Sequence, residues 1–221
     1  MFQILTQGAP DSNSQAALTG KKSFHIRLAS GSPRRRALLQ DLGWNFEILS
    51  PDVDETPLPG ERPEALCERL ARLKAEAGAK TPGPGELVLA ADTIVVIDGR
   101  ILGKPSGREE ACAMLRLLQG RAHEVMTGIA LEKEGQILSG VERTAVHFRP
   151  LTEAEVQVYA ATGEGDDKAG AYAIQGKGAL LVSAIEGDYF NVVGLPLCLL
   201  GRMLESLGLG LEDMISCRER R

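Results

Sequence analysis

The chain has 221 residues, enough for one domain with a sizeable core, and its 43% hydrophobic and 25% charged residues show none of the depletion that marks disorder. A formal net charge of −5 at pH 7 and a pI near 5.4 argue against a surface built to neutralise long runs of phosphate, so any basic cluster suits a compact anion better than a polymer. No apolar run approaches the ~20 residues of a membrane span, and Cys67, Cys112, Cys198 and Cys217 lie far apart without metal-ligand or Cys-x-x-Cys spacing, as expected of reduced thiols in a cytoplasmic protein.

Residues 1–22, rich in Ser, Gly, Asn and Gln, lack the basic start and sustained apolar run of a signal peptide and read as a flexible leader. "SFHIRLAS" interleaves β-branched, aromatic and polar residues, the pattern of a first strand. Ser32 as N-cap, Pro33 in the first turn and Gly43 as a stop then predict a short helix over 33–42. "WNFEILSPDVDE" predicts a second strand that breaks at Pro51 into an acidic loop. In "PEALCERLARLKAEAGAK", apolar residues at 66, 70, 73 and 77 predict an amphipathic helix with Lys74 near the edge of its apolar stripe.

"LVLAADTIVVIDGRIL" is nearly continuous in apolar residues, so it predicts a strand buried on both faces, with "DGR" turning into another. "SGREEACAMLRLLQG" predicts a helix ending at Gly120, and "HEVMTGIALEKEGQILSGVERTAVHFRP" a meander of two or three strands. Thr152 with an acid three residues later opens a further helix by a capping box. "AYAIQGKGALLVSAIEGDYFNVVGLP" predicts two short strands joined by turns. "PLCLLGRMLESLGLG" predicts a last helix, with 211–221 as a mobile tail. Mixed strands and helices throughout predict an α/β (mixed α+β) single domain over 23–210 with a mixed sheet.

Three places could carry chemistry. "LASGSPRRRALL" is a strand, a Ser-Gly-Ser turn and a helix N-terminus, where backbone N–H groups and the Ser30 and Ser32 hydroxyls offer an anion site. Arg34, Arg35 and Arg36 in that first turn oppose the helix dipole, a cost that a bound anion nearby would offset; a solvated basic face is the other reading. Asp92, inside an apolar strand, costs several kcal/mol unless it is paired, hydrogen-bonded or metal-bound, or unless it caps a turn at the strand's end. The acidic loop with Asp52, Asp54 and Glu55 could add an oxygen ligand for a hard cation such as Mg²⁺ or Mn²⁺, or could be solvated. Lys104 and Lys168 sit in Gly/Pro turns, His123 and His147 fall in strands, and no Ser-His-Asp order, P-loop or dinucleotide fingerprint is present. These residues make a metal-assisted phosphoester chemistry plausible.

Five segments taken together resemble the Maf family of nucleoside triphosphate pyrophosphatases: "LASGSPRRRALL", "ERLARLKAEAG", "AADTIVVIDGRILGKP", "HEVMTGIAL" and "TGEGDDKAGAYAIQGKGALLVSAIEGDYFNVVGLP". The resemblance covers roughly residues 26 to 207. It implies an elongated fold of two lobes around a mixed sheet with a cleft, related to the inosine triphosphatases, and a homodimer. It implies hydrolysis of a nucleoside triphosphate to monophosphate and pyrophosphate with a divalent metal. It further implies that Asp92 is the catalytic proton acceptor or a metal ligand, that Glu55 helps to hold the metal, and that Ser30, Ser32, Arg35, Lys74 and Lys104 line the triphosphate cleft.

In the subgroup most similar to this chain, positions matching Arg34, Thr93 and Gln175 mark a preference for dTTP and UTP, with modified pyrimidine nucleotides as a further class. The 7-methyl-GTP subgroup has a different pattern where this chain reads "AYAIQG". Gly165 stands where the family commonly has proline. A nucleotide-responsive regulator of cell division is the alternative reading; RNA binding through Arg34 to Arg36 finds no aromatic platform. On this division of roles Arg36 is expected on the solvated side of its helix.

Overall fold

The structure is a computed structural model that describes residues 23–79 and 86–217. The 1–22 leader and residues 218–221 lie outside the described residues. The elements run β1 His25–Ala29, α1 Pro33–Asp41, β2 Phe46–Leu49, α2 Pro63–Gly78, β3 Glu86–Ile97, β4 Arg100–Leu102, α3 Arg108–Leu118, β5 Ala122–Lys133, β6 Gln136–Phe148, α4 Glu153–Ala160, β7 Val182–Glu186, α5 Tyr189–Val193, α6 Leu197–Ser206 and α7 Leu211–Ser216. Seven strands form one mixed sheet in the order β2-β1-β3-β5-β6-β7, with β4 also on β3. The first three pair in parallel and the rest antiparallel.

Strand β3 is the axis. On one edge β5 pairs with it from Val88 to Val96. On the other, β1 reaches only to Leu89 and β4 begins only at Val95, so residues 90–94 have no strand partner among the described residues on that edge. This gap in the ladder is the cleft expected from the sequence.

Side-chain alternation along β3 sorts the core. Leu87, Leu89 and Ala91 pack with β1 and with α1, α6 and α7; further along the same face, Val95 and Ile97 pack with α3 and α4. Val88 and Ala90, then Ile94 and Val96, face the other way with Ala71, Ala75 and Cys67 of α2. Asp92 and Thr93 fall where each face changes from one apolar cluster to the next.

Helix α2 lies close to the sheet because glycines permit it. A Cβ on Gly128, the register partner of Asp92, would stand 2.3 Å from the Cys67 carbonyl oxygen. The buried stripe of α2 is Leu66, Cys67, Leu70, Ala71, Ala75 and Gly78. It is rotated from the predicted 66-70-73-77 line, which carries Lys74 from the stripe's edge onto the sheet side.

Two other expectations change. Between Ala169 and Val193 the chain makes two 3₁₀ turns, one strand and α5 rather than two strands, because Gly170, Ala171 and Gly176 take left-handed backbone (φ 71°, 60° and 65°). Residues 211–217 do not trail from the fold. Met214 and Cys217 are buried in the core, and the Met214 carbonyl accepts a 2.9 Å hydrogen bond from the Trp44 indole. The α4 capping box of Thr152 and Glu155 forms as read. Cys67, Cys112 and Cys217 are buried and Cys198 exposed, all as free thiols. Among the described residues no helix is long and apolar enough to cross a membrane.

Candidate active site

The gap in the β3 edge opens into a cavity of about 710 Å³, within the usual range for ligand sites. Ala29 and the Ser30-Gly31-Ser32 turn close it at the end of β1, Ile101 to Lys104 at the end of β4, and Leu66, Leu70 and Lys74 from α2. Of the residues proposed from sequence, Ser30, Ser32, Arg34, Arg35, Glu55, Lys74, Asp92, Thr93 and Lys104 all line it. Gln175 does not. It is exposed and lines a small adjoining recess with Lys168, Tyr172, Ile174 and Val193; Arg34 is a wall of both.

On the α2 face of β3 the site is ionic. Lys74 Nζ donates to Asp92 Oδ1 at 2.6 Å and stands 2.7 Å from Glu55 Oε1. The Lys74 and Asp92 side chains are 13% and 14% exposed, so each needs the other; Glu55 reaches in from solvent at 59%. The hydrogen bond from Lys74 holds the Glu55 carboxyl below its usual range against the opposing effect of burial, helped by the charges of Lys74, Lys104 and Arg35. Asp92 Oδ2 receives no hydrogen bond from a described residue. Asp54, from the same acidic loop, instead accepts from the Thr56 backbone N–H in a local turn.

On the opposite face the site is a buried polar chain. Arg35 is almost fully buried and its fork is spread over three acceptors: Nε to the Gly194 carbonyl at 2.7 Å, one terminal nitrogen to Ser30 Oγ at 2.8 Å and the other to Thr93 Oγ1 at 3.0 Å. Burial lowers Arg35 to about 10, which leaves it charged at neutral pH.

Thr93 and Thr127 are in hydroxyl contact at 2.9 Å, and Thr127 donates to the Asn191 carbonyl at 3.1 Å. The Thr127 proton is thereby spent, so the Thr93 hydroxyl donates to Thr127 and accepts from Arg35. Asn191 Nδ2 continues the chain to the Val125 carbonyl and to Thr144 Oγ1. Arg35 is thus braced as a fixed cation, with hydrogens still on its terminal nitrogens for a ligand. Thr93 meets Arg35 rather than offering a free hydroxyl to the cavity.

The arginine triplet divides in three ways. Arg34 stands 3.5 Å from Asp167, Arg35 is braced, and Arg36 is half-buried with an unpartnered Nε rather than solvated. Ser32 occupies the N-cap position but makes no side-chain cap bond. His123 is accounted for by its contact with the Tyr172 hydroxyl at 2.7 Å, and His147 by a contact with Glu186 at 3.0 Å.

Sequence reasoning missed Asp167, Thr127 and Asn191. Asn191, an amide inside the apolar run "YFNVVG", carries the same signal that picked out Asp92. The "DDKAG" turn was weighed for its lysine, but Lys168 turns to the Glu164 carbonyl and to Asp167, leaving Asp167 as the cavity residue.

Four cationic and three anionic side chains line the cavity: Arg34, Arg35, Lys74 and Lys104 against Glu55, Asp92 and Asp167. In a chain of net charge −5 this is a local positive excess suited to a polyanion. No group of three or more His, Cys, Asp or Glu that could hold a metal occurs among the described residues. Glu55 and Asp92 do converge on one cation, the Lys74 ammonium, and two carboxylates completed by phosphate oxygens are a donor set that suits Mg²⁺ or Mn²⁺.

Residues 25–207 match the family described as Maf-like protein. Curated relatives named dTTP/UTP pyrophosphatase from Symbiobacterium thermophilum and Halalkalibacterium halodurans are each 50% identical over 181 residues, covering 82% of this chain and 93% and 95% of theirs. Among solved structures, the Staphylococcus aureus Ham1 protein aligns over 83% of this chain and 99% of its own at 17% identity, with a TM-score of 0.48. A match that spans β1 to α6, with relatives of this similarity over most of their length, places the chain in the Maf family.

Proposed function

We propose that this protein is a nucleoside triphosphate pyrophosphatase that hydrolyses dTTP and UTP to the monophosphate and pyrophosphate. The observation that carries the reading is the Glu55–Lys74–Asp92 cluster on the wall of a cavity lined by cations and hydroxyls, in a chain half identical to proteins named for that activity.

Lys74, Lys104, Arg35 and the Ser30 and Ser32 hydroxyls bind the triphosphate and meet the negative charge that grows on the phosphoryl oxygens as water attacks the α-phosphorus. Lys74 fixes Asp92 through Oδ1, which leaves Oδ2 for one of two jobs, to orient the water and accept its proton or to bind the metal. Glu55 and Asp92 would hold Mg²⁺ or Mn²⁺ together with phosphate oxygens, and that cation supplies further charge neutralisation at the transition state. Arg34 and Gln175 read the base, and Thr93 contributes through the position it gives Arg35. A cytoplasmic homodimer belongs to the same reading and rests on family resemblance; light scattering tests the dimer.

Pyrophosphate release from UTP and dTTP with Mg²⁺ or Mn²⁺ tests the activity. Turnover by the wild type, with a loss of about 100-fold or more in Asp92→Asn, is expected. A wild type that releases pyrophosphate from neither nucleotide overturns the reading.

A further inference from the structure

Asp167 lines the cavity beside Arg34, on a segment that the surrounding structure holds firmly. The Glu164 carboxylate accepts from the backbone N–H groups of Lys177 and Gly178, and the Gly170 N–H reaches the Gly103 carbonyl at the end of β4. Gly165 permits the close turn, since a Cβ there would lie 2.0 Å from the Ala171 carbonyl oxygen. The carboxylate is bound on one side only: Oδ1 takes the Lys168 ammonium, while Oδ2 faces Arg34 at 3.5 Å, a loose ion pair without a close hydrogen bond. Burial pushes this carboxyl up, but the hydrogen bond and charge of Lys168 together with the charge of Arg34 outweigh it and hold the group below its usual range. Asp167 is therefore an acceptor with no proton to give at neutral pH.

Two charged groups on the cavity wall differ in chemistry. Lys74, Glu55 and Asp92 form one ion-paired group, where a further fixed carboxylate beside a phosphate would repel. Arg34 and Asp167 form the other, next to the recess of Tyr172, Ile174 and Val193 that also holds Gln175. A donor-only guanidinium beside an acceptor-only carboxylate is complementary to an edge that presents a carbonyl oxygen next to an N–H. Uracil and thymine offer that edge at O4 and N3–H. Cytosine offers the reverse, an amino group beside an N3 lone pair.

Resting on the proposed dTTP/UTP activity, we infer that Asp167 is a specificity-determining residue that accepts the N3–H of uracil and thymine while Arg34 donates to O4. Cytosine is rejected because its N3 lone pair would face a carboxylate and its amino group a guanidinium. The pair supplies the direction that Gln175 lacks, since an amide can turn to suit either base.

The experiment measures kcat/KM for UTP, CTP and N3-methyluridine triphosphate with wild type, Asp167→Asn and Asp167→Ala. The Asp167 side chain is 58% exposed, so both variants should fold. Asparagine can donate to cytosine N3, so the UTP-over-CTP ratio is expected to fall about tenfold or more in Asp167→Asn, mainly by a gain on CTP. Asp167→Ala should lose the preference for UTP over its N3-methyl analogue. Parallel losses on all three nucleotides, or an N3-methyl discrimination that survives Asp167→Ala, overturn the inference and make Asp167 only a restraint on Arg34. A wild type inactive on UTP and dTTP overturns the activity itself, and this assignment with it.

Discussion

Asp92 and Thr93 are neighbours on one strand, yet they face two different solvents. On the α2 side the polar groups are charged, open to the cavity and held by a lysine that shares itself between two carboxylates. On the other side they are a cation, hydroxyls and an amide bonded in sequence from Ser30 through Arg35, Thr93 and Thr127 to Asn191, whose Oδ1 is left unpartnered. The first arrangement can exchange partners when substrate arrives, because Lys74 can release a carboxylate to a metal and turn to a phosphate. The second holds its shape, because each bond it gave up would strand a buried partner. On the proposed function, the α2 side of β3 is fitted to activating water and holding the metal, and the opposite side to keeping Arg35 and Ser30 fixed for the triphosphate.

That contrast can be broken from either side. Lys74→Met leaves Asp92 and Glu55 facing each other without their shared cation, and is expected to lower kcat/KM for UTP by about 100-fold or more with the fold intact by circular dichroism. Thr127→Val removes a hydroxyl at nearly constant volume and strands both the Thr93 proton and the Asn191 carbonyl. The expected outcome is a loss of about 1–3 kcal/mol in urea unfolding, with UTP turnover reduced less than in Lys74→Met. Equal catalytic losses in the two variants would erase the distinction between the faces. Arg36→Ala, which removes a half-buried group with an unpartnered Nε, is expected to stay within about 0.5 kcal/mol and leave kcat/KM unchanged.

Residues that violate their surroundings were the legible ones. Asp92 stood out as a charge in an apolar run, and the arginines because cations oppose a helix N-terminus. Lys74 was visible only through family resemblance, because the i, i+4 pattern set it at the edge of a stripe that the close approach of α2 at Gly128 rotates toward the sheet. Thr127 was silent because threonine is at home in a strand, whatever its hydroxyl touches. Only the mixed character of the sheet, not its strand order or its parallel start, followed from alternating strands and helices. The gap at residues 90–94 did not, since it arises from where β1 ends and β4 begins on a shared neighbour. Residues 169–193 were misread as two strands because left-handed backbone at Ala171 has no signature in a residue that rarely adopts it.

The most direct test of the division between the two faces is kcat/KM for UTP and CTP in Asp92→Asn and Thr93→Val side by side. Asp92→Asn should lower both values by about 100-fold or more, while Thr93→Val, which takes one of three acceptors from Arg35, should lower both by much less, and in each variant the ratio stays in place. An Asp92→Asn enzyme within about threefold of wild type on UTP would contradict the assignment of chemistry to the α2 face.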